Sequence, residues 1–235
     1  MQIRTPATLA AILAALPLVT AAQTGFYVGG TLGHRESDIG DDVNAMQTAV
    51  ETAYNVAYPE GGSPTLAGPL LMSTDVDDAD MGFKVFAGWA PHEYTFFEVG
   101  YMDLGSNSIT LQTDATYDVL PATSETFMTT ESTDGFFISA GIKYPMTDRF
   151  EVLGHVGGYL YDSSFGASGL VAGVNVSTLG LDDGNSGTSL MFGVGLRYRF
   201  TDNLSLRGDW DYLDDINGNE VNLFSLGAEF HFGKN

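Results

Sequence analysis

Eight times along this chain, a stretch of about ten residues carries an apolar side chain at every second position. Side chains of a strand alternate between its two faces, so each stretch builds one apolar face. The stretch "LMFGVGLRYRF" (190–200) shows it most clearly. Leu190, Phe192, Val194, Leu196, Tyr198 and Phe200 share one face, and Met191, Gly193, Gly195, Arg197 and Arg199 share the other. The other seven stretches are 25–37, 81–90, 94–104, 135–144, 150–161, 204–213 and 223–232. Repeated dyad alternation at this length marks a transmembrane β-barrel. The expected fold is therefore all-β, an eight-stranded antiparallel transmembrane up-and-down β-barrel.

The connections sort by length. Residues 91–93, 145–149 and 201–203 make short turns, while 38–80, 106–134, 162–188 and a shorter 214–222 make longer links. Short turns on one rim and long loops on the other fit a barrel of the outer membrane, with periplasmic turns, extracellular loops and both termini periplasmic. The start of the chain agrees with export. Arg4 supplies a positive n-region, 8–19 an apolar h-region, and 20–23 small residues for cleavage near Ala22. Residues 1–22 read as a signal peptide and 23–235 as the barrel domain. No later stretch approaches the roughly 20 apolar residues of a spanning helix.

If the apolar face meets lipid, the other face lines the lumen. The cations Lys84, Lys143, Arg197, Arg199 and Arg207 fall on that second face, as do Glu98, Glu151, Asp209, Glu229, His155 and His231. An Arg or Lys on the lipid face costs about 2–4 kcal/mol at the midplane, so five of them belong inside. Eight strands enclose an interior only just wide enough for side chains to fill. Lys84, Glu98, Lys143, Glu151, His155, Arg197, Arg199, Arg207, Asp209 and Glu229 are thus expected to form a lumen charge network that plugs the barrel. Inward glycines such as Gly88, Gly141, Gly193 and Gly195 would make room for the long side chains. On the apolar face, aromatics gather near the turn rim (Trp89, Phe97, Tyr144, Phe150, Tyr198, Phe200, Phe230, Phe232) and near the loops (Tyr101, Phe136, Trp210, Tyr212). Interfacial girdles have this arrangement.

The segments "GFYVGGTLGHRESD", "GFKVFAGWAPHEYTFFEVGYMDLGS", "SAGIKYPMTDRFEVLGHVG" and "GVGLRYRFTDNLSLRGDWDYLDD" resemble the outer-membrane β-barrel domain of the OmpA-like and porin-family small barrels. The resemblance covers essentially all of 23–235 and is to stand-alone barrels, with no peptidoglycan-binding domain following. It implies an outer-membrane location and recognition by the barrel-assembly machinery. Barrels of this class usually end on an aromatic, whereas Phe232 lies three residues from the end. One function does not follow, since such relatives serve as envelope proteins, adhesins, immune-evasion proteins and weak pores.

Thirty acidic against nine basic residues give a net charge of −21, which argues against nucleic-acid binding. Much of the acid lies in the long connections. In 41–62, Asp41 or Asp42 as the N-terminal cap, followed by Val43, Met46, Val50, Tyr54 and Ala57 at helical spacing, predicts a short amphipathic helix over the barrel mouth. Such a helix is marginal without packing. The acidic runs 75–80 and 181–184 lack the EF-hand pattern and read as solvated loops, so no metal or other cofactor is expected. Cysteine is absent, and His34, His92, His155 and His231 show no spacing of a nucleophile with its base, so no catalytic residues are assigned. The expected role is structural, with surface interactions through the loops, or alternatively that of a narrow porin-like channel. Expected partners are outer-membrane lipid, lipopolysaccharide and a surface partner met by the loops.

Overall fold

The computed structural model describes residues 25–77, 79–179 and 183–232; the signal peptide expected at 1–22 lies outside them. In chain order the elements are β1 (Gly25–Ser37), α1 (Gly40–Ala57), β2 (Leu71–Asp77), β3 (Ala79–His92), β4 (Thr95–Ala115), β5 (Thr123–Pro145), β6 (Phe150–Val171), the two-residue β7 (Val174–Asn175), β8 (Asp183–Arg199), β9 (Leu204–Ile216) and β10 (Asn219–Phe232). Eight of them close a ring in which β1, β3, β4, β5, β6, β8, β9 and β10 each pair antiparallel with the next, and β10 returns to β1. Closure leaves no strand edge at the level of the apolar belt, which is what lets a sheet cross hydrocarbon.

Sidedness follows the alternation. Leu190, Phe192, Val194, Leu196 and Tyr198 point outward and stay exposed, while Met191 and Arg197 between them are buried in the lumen. The outward aromatics band as expected. Near the turns Trp89 stacks between Phe26 and Phe97, with ring centroids 6.2 and 6.0 Å apart. Toward the other rim Tyr101 meets Phe136 at 5.5 Å and Trp210 meets Phe224 at 6.4 Å.

The inward glycines serve ring packing more than the arginines. A Cβ on Gly88 would stand 2.1 Å from the Tyr27 ring, one on Gly141 2.3 Å from Phe96, and one on Gly193 2.3 Å from His155. At Gly195 the nearest atom is instead a network carboxylate oxygen, that of Asp209 at 2.3 Å.

The long connections are mostly not loops. β4, β5 and β6 run for 21, 23 and 22 residues, so much of 106–134 and 162–188 is strand. With β2 paired to the far half of β4, they raise a curved sheet above the closed ring. Hydrophobic alternation alone misses it, because its outward positions are mostly polar, among them Ser108, Thr110, Gln112, Asp114, Thr126 and Thr130, so the apolar face ends where the membrane ends.

Placing a cation on the outer face tests this sidedness. Ile138 points outward with 62% exposure, and its neighbour Ser139 points inward. Ile138→Arg should cost about 2–4 kcal/mol in urea unfolding from lipid vesicles, whereas Ser139→Ala should stay within about 1.5 kcal/mol.

Candidate functional site: the lumen and its cover

The inward positions nearest the turns carry the charges. Arg207 on β9 reaches Glu98 on β4 with two guanidinium nitrogens, the longer bond being 3.2 Å. These strands stand opposite one another in the ring, four strands apart in either direction. The pair therefore spans the full width of the lumen. Arg207 also donates to Asp209 at 2.8 Å and to Glu229 at 2.8 Å. Glu229 in turn meets Arg197 at 2.6 Å, Arg197 donates to Glu151 at 3.0 Å, and Glu151 accepts from Arg199 at 3.2 Å. On the other side Lys84 bridges Asp209, at 3.3 Å, and Asp211, and His155 Nε2 donates to Asp211 at 2.8 Å. A carboxylate only accepts, so the proton of this bond sits on Nε2.

Nine of the ten residues expected in the network are thus linked through shared carboxylates. Lys143 is not: it faces inward near the rim but forms no salt bridge among the described residues. Three members lie outside the expected network, although the lumen face of His231 was read from the sequence. Asp211 joins Lys84 to His155, Tyr27 donates to Glu98 at 2.7 Å, and His231 lies 3.3 Å from Glu229. Asp211 was visible as the next inward position after Asp209. A buried Arg35, also inward on β1, was likewise readable from the alternation of its strand. Aromatic faces complete the shell, with the Arg207 guanidinium 4.9 Å from the Phe86 ring and that of Arg197 5.2 Å from Tyr27. Such placement adds cation–π attraction where water is excluded.

Farther from the turns the lumen turns apolar. Met102, Leu104, Phe137, Tyr159, Met191, Leu213 and Leu223 pack into one cluster with Phe86 and Tyr27 at its base. The β9–β10 hairpin folds inward over it. Asn217 adopts the left-handed conformation (φ 56°) and Gly218 follows it (φ 93°), the requirement of a tight two-residue hairpin turn. The turned-in Asn217 side chain accepts from Asn185 Nδ2 at 2.7 Å and donates to Glu131.

Above the hairpin lies α1, in the place expected for an amphipathic helix. Met46, Val50 and Tyr54 recur every four residues and are buried. They pack on Ile109, Leu111, Ala115 and Val171 of the raised sheet and on Tyr117 just past the end of β4. That packing supplies what an isolated helix of 18 residues lacks. The expected Asp41 or Asp42 cap is corrected. The helix begins after Ile39 without a side-chain cap, Asp38 accepts from the Gly40 N–H at 3.2 Å, and Asp41 and Asp42 sit in the first turn. There their charge favours the positive end of the helix dipole. Asp42 accepts from Asn219 at 2.7 Å, tying helix to hairpin. Tyr54 donates to Glu125 at 2.6 Å and lies 3.0 Å from Thr113, while Glu125 also accepts from the Gly173 N–H at 2.8 Å. Burial, reinforced by the Glu125 carboxylate, pushes the Tyr54 phenol above its ordinary range.

The family model of the OmpA-like transmembrane domain matches residues 21–235. Outer membrane protein A of Serratia marcescens is 23% identical over 161 residues, which cover 66% of this chain and 40% of that protein. The chain thus spans less than half the length of that relative. Among solved structures, Ail of Yersinia pestis is 15% identical with a TM-score of 0.46, covering 89% of this chain and 99% of its own. OprG of Pseudomonas aeruginosa is 11% identical with a TM-score of 0.43, covering 90% and 97%.

Two stability tests follow from the geometry. Arg207→Ala strands Glu98, Asp209 and Glu229 in a dry interior and should cost about 3–5 kcal/mol in urea unfolding. Arg199→Ala, at a side chain 38% exposed, should cost less than about 1 kcal/mol. For the cover, Tyr54 is neutral below its ordinary pKa whether α1 is docked or not. As pH rises above about 10 the undocked phenol ionises first, so docking weakens. The protection of α1 amides, taken relative to the intrinsic base-catalysed exchange rate at each pH, should fall above that pH in the wild type. In Tyr54→Phe, protection should be lower at neutral pH and show no such alkaline fall.

Proposed function

The chain belongs to the OmpA-like transmembrane domain family and lies in the outer membrane, and from that premise we propose that it is a structural, surface-interacting barrel whose lumen is plugged by its charge network. The observation that carries this reading is the Arg207–Glu98 pair across the full width of the lumen. Each of its partners is also held by a second group, so opening a path means breaking several buried ion pairs together. Breaking a buried pair leaves uncompensated charge and costs several kcal/mol. The apolar cluster and α1 stack two further layers on the same axis.

The reading is non-enzymatic. His155 and His231 are each engaged with carboxylates that also hold cations, which is the surrounding of a structural histidine and not of a general base. Interactions with the outside then fall to the raised sheet and its helix. The membrane side takes outer-membrane lipid and lipopolysaccharide, and the barrel-assembly machinery inserts the chain.

Planar-bilayer recording of the refolded protein tests the plug. Wild type that inserts, as shown by heat-modifiable mobility, should give no steady openings, and Arg207→Ala should raise the frequency of brief ones. Steady wild-type openings whose ion preference changes in Arg197→Ala or Glu98→Ala would replace the plug with a narrow channel for small solutes or ions.

A further inference from the structure

Above the apolar belt, one edge of the raised sheet has no strand beside it. β2 pairs with β4 in register, from Leu71 opposite Asp114 to Asp77 opposite Ser108. Among the described residues no other strand pairs with β2, and no backbone hydrogen bond reaches its other side. The empty place is the one β1 would fill if it ran on. β1 follows β3 only as far as Glu36, opposite Ala79, and after Ser37 the chain turns into α1. At the far side of the raised sheet, β6 is flanked by β8 up to Phe165 and by β7 at Leu170 and Val171. Backbone groups of alternate residues point to opposite edges of a strand, so about half of those in β2 face the empty place.

Native chains usually blunt an open edge with proline, lysine, a bulge or a very short strand. β2 is seven residues long, holds no proline or lysine, and keeps an unbroken register with β4. Its outward side chains are Leu71, Ser73, Asp75 and Asp77, all exposed, and the exposed Asp114 stands on the same face one strand in. The other face of β2 looks to α1. Gln47 donates to Thr74 at 2.7 Å, Met72 packs against the apolar cluster beneath the helix, and Val76 keeps 37% exposure.

Charge chooses the occupant. Opposite charges across a strand pair attract and like charges repel. A second copy of β2 paired antiparallel would bring two more acids to the same face and no cation. Among the described residues, Arg35 is the one lysine or arginine on the loop side of the belt, and it is buried. We propose that the free edge of β2 takes, as an added strand, an extended segment of another protein with lysine or arginine at every second residue. Main-chain bonds along the edge would hold the segment, its basic side chains would meet Asp75 and Asp77, and apolar side chains between them would cover Val76. This rests on the reading of the chain as a surface-interacting barrel, and it adds the edge and the chemistry of the partner.

The test follows, by fluorescence anisotropy, a labelled peptide of alternating lysine and valine, about as long as β2, titrated with refolded full-length protein in detergent. Two control peptides each change one property. One has glutamate in place of lysine; the other is N-methylated at every peptide bond, which keeps the charge and removes the N–H donors. Wild type should bind the lysine peptide roughly tenfold more tightly than either control, the scale of a few net hydrogen bonds. Asp75→Asn with Asp77→Asn removes both charges and leaves the edge. This double variant should lose most of the preference for lysine over glutamate and keep the preference over the N-methylated form. Equal binding of the lysine and N-methylated peptides by wild type overturns strand addition. Equal binding of the lysine and glutamate peptides, or an unchanged preference in the folded double variant, overturns the basic segment at this edge. Wild type that sediments as a dimer and binds none of the peptides would put a second copy there instead. None of these results touches the barrel itself, which falls only if wild type lacks heat-modifiable mobility.

Discussion

Arg207 and Glu98 meet across the whole width of the barrel, and much of the architecture answers to that meeting. The outer surface must be apolar to sit in hydrocarbon, so every long charged side chain in the spanning strands has to be housed inside. Eight strands leave no water-filled channel in which to dissolve them. An arginine in such a space is tolerable only if its charge and its donors are matched. Arg207 meets this by holding three carboxylates, each of them shared or hydrogen-bonded further: Glu98 with Tyr27, Asp209 with Lys84, Glu229 with Arg197. Glycine opposite bulky inward groups, as at Gly195 beside Asp209, lets the set pack without bending the ring.

The lumen is closed by different physics at different heights. Ion pairs close it near the turns. Apolar packing closes it above, through Met102, Phe137, Tyr159 and Leu213. The top layer is a helix whose docking depends on Tyr54 and Glu125 as much as on Met46 and Val50. These layers respond to different conditions. Changing one residue of the ion network strands buried charge, while alkaline pH acts on the helix through the Tyr54 phenol. The cover also draws Glu125 and Glu131 inward.

Strand content was legible wherever one face had to meet lipid. The alternation of 190–200 and of 223–232 reads correctly to within a few residues of β8 and β10 at the turn end. It failed above the belt. In β5 the outward Ser124, Thr126 and Thr130 alternate with Glu125, Phe127 and Thr129, and that pattern has no apolar face to detect. Arg35 and Asp211 were legible in principle, since each sits at an inward position of its strand. Lys143 shows the reverse: its face was readable, but its lack of an ion pair among the described residues was not.

What the sequence determined by itself is the face each side chain takes. A period of two, combined with the cost of charge in lipid, assigns inside and outside without any knowledge of which strands are neighbours. What only the tertiary structure decided is which inward groups meet. Glu151 and Arg197 are direct cross-strand partners, but Arg207 with Glu98 and Lys84 with Asp211 join strands that touch only across the lumen. The same holds for Tyr54 with Glu125, 71 residues apart. Those meetings depend on the curvature and stagger with which the sheet closes, and closure is a property of all eight strands together.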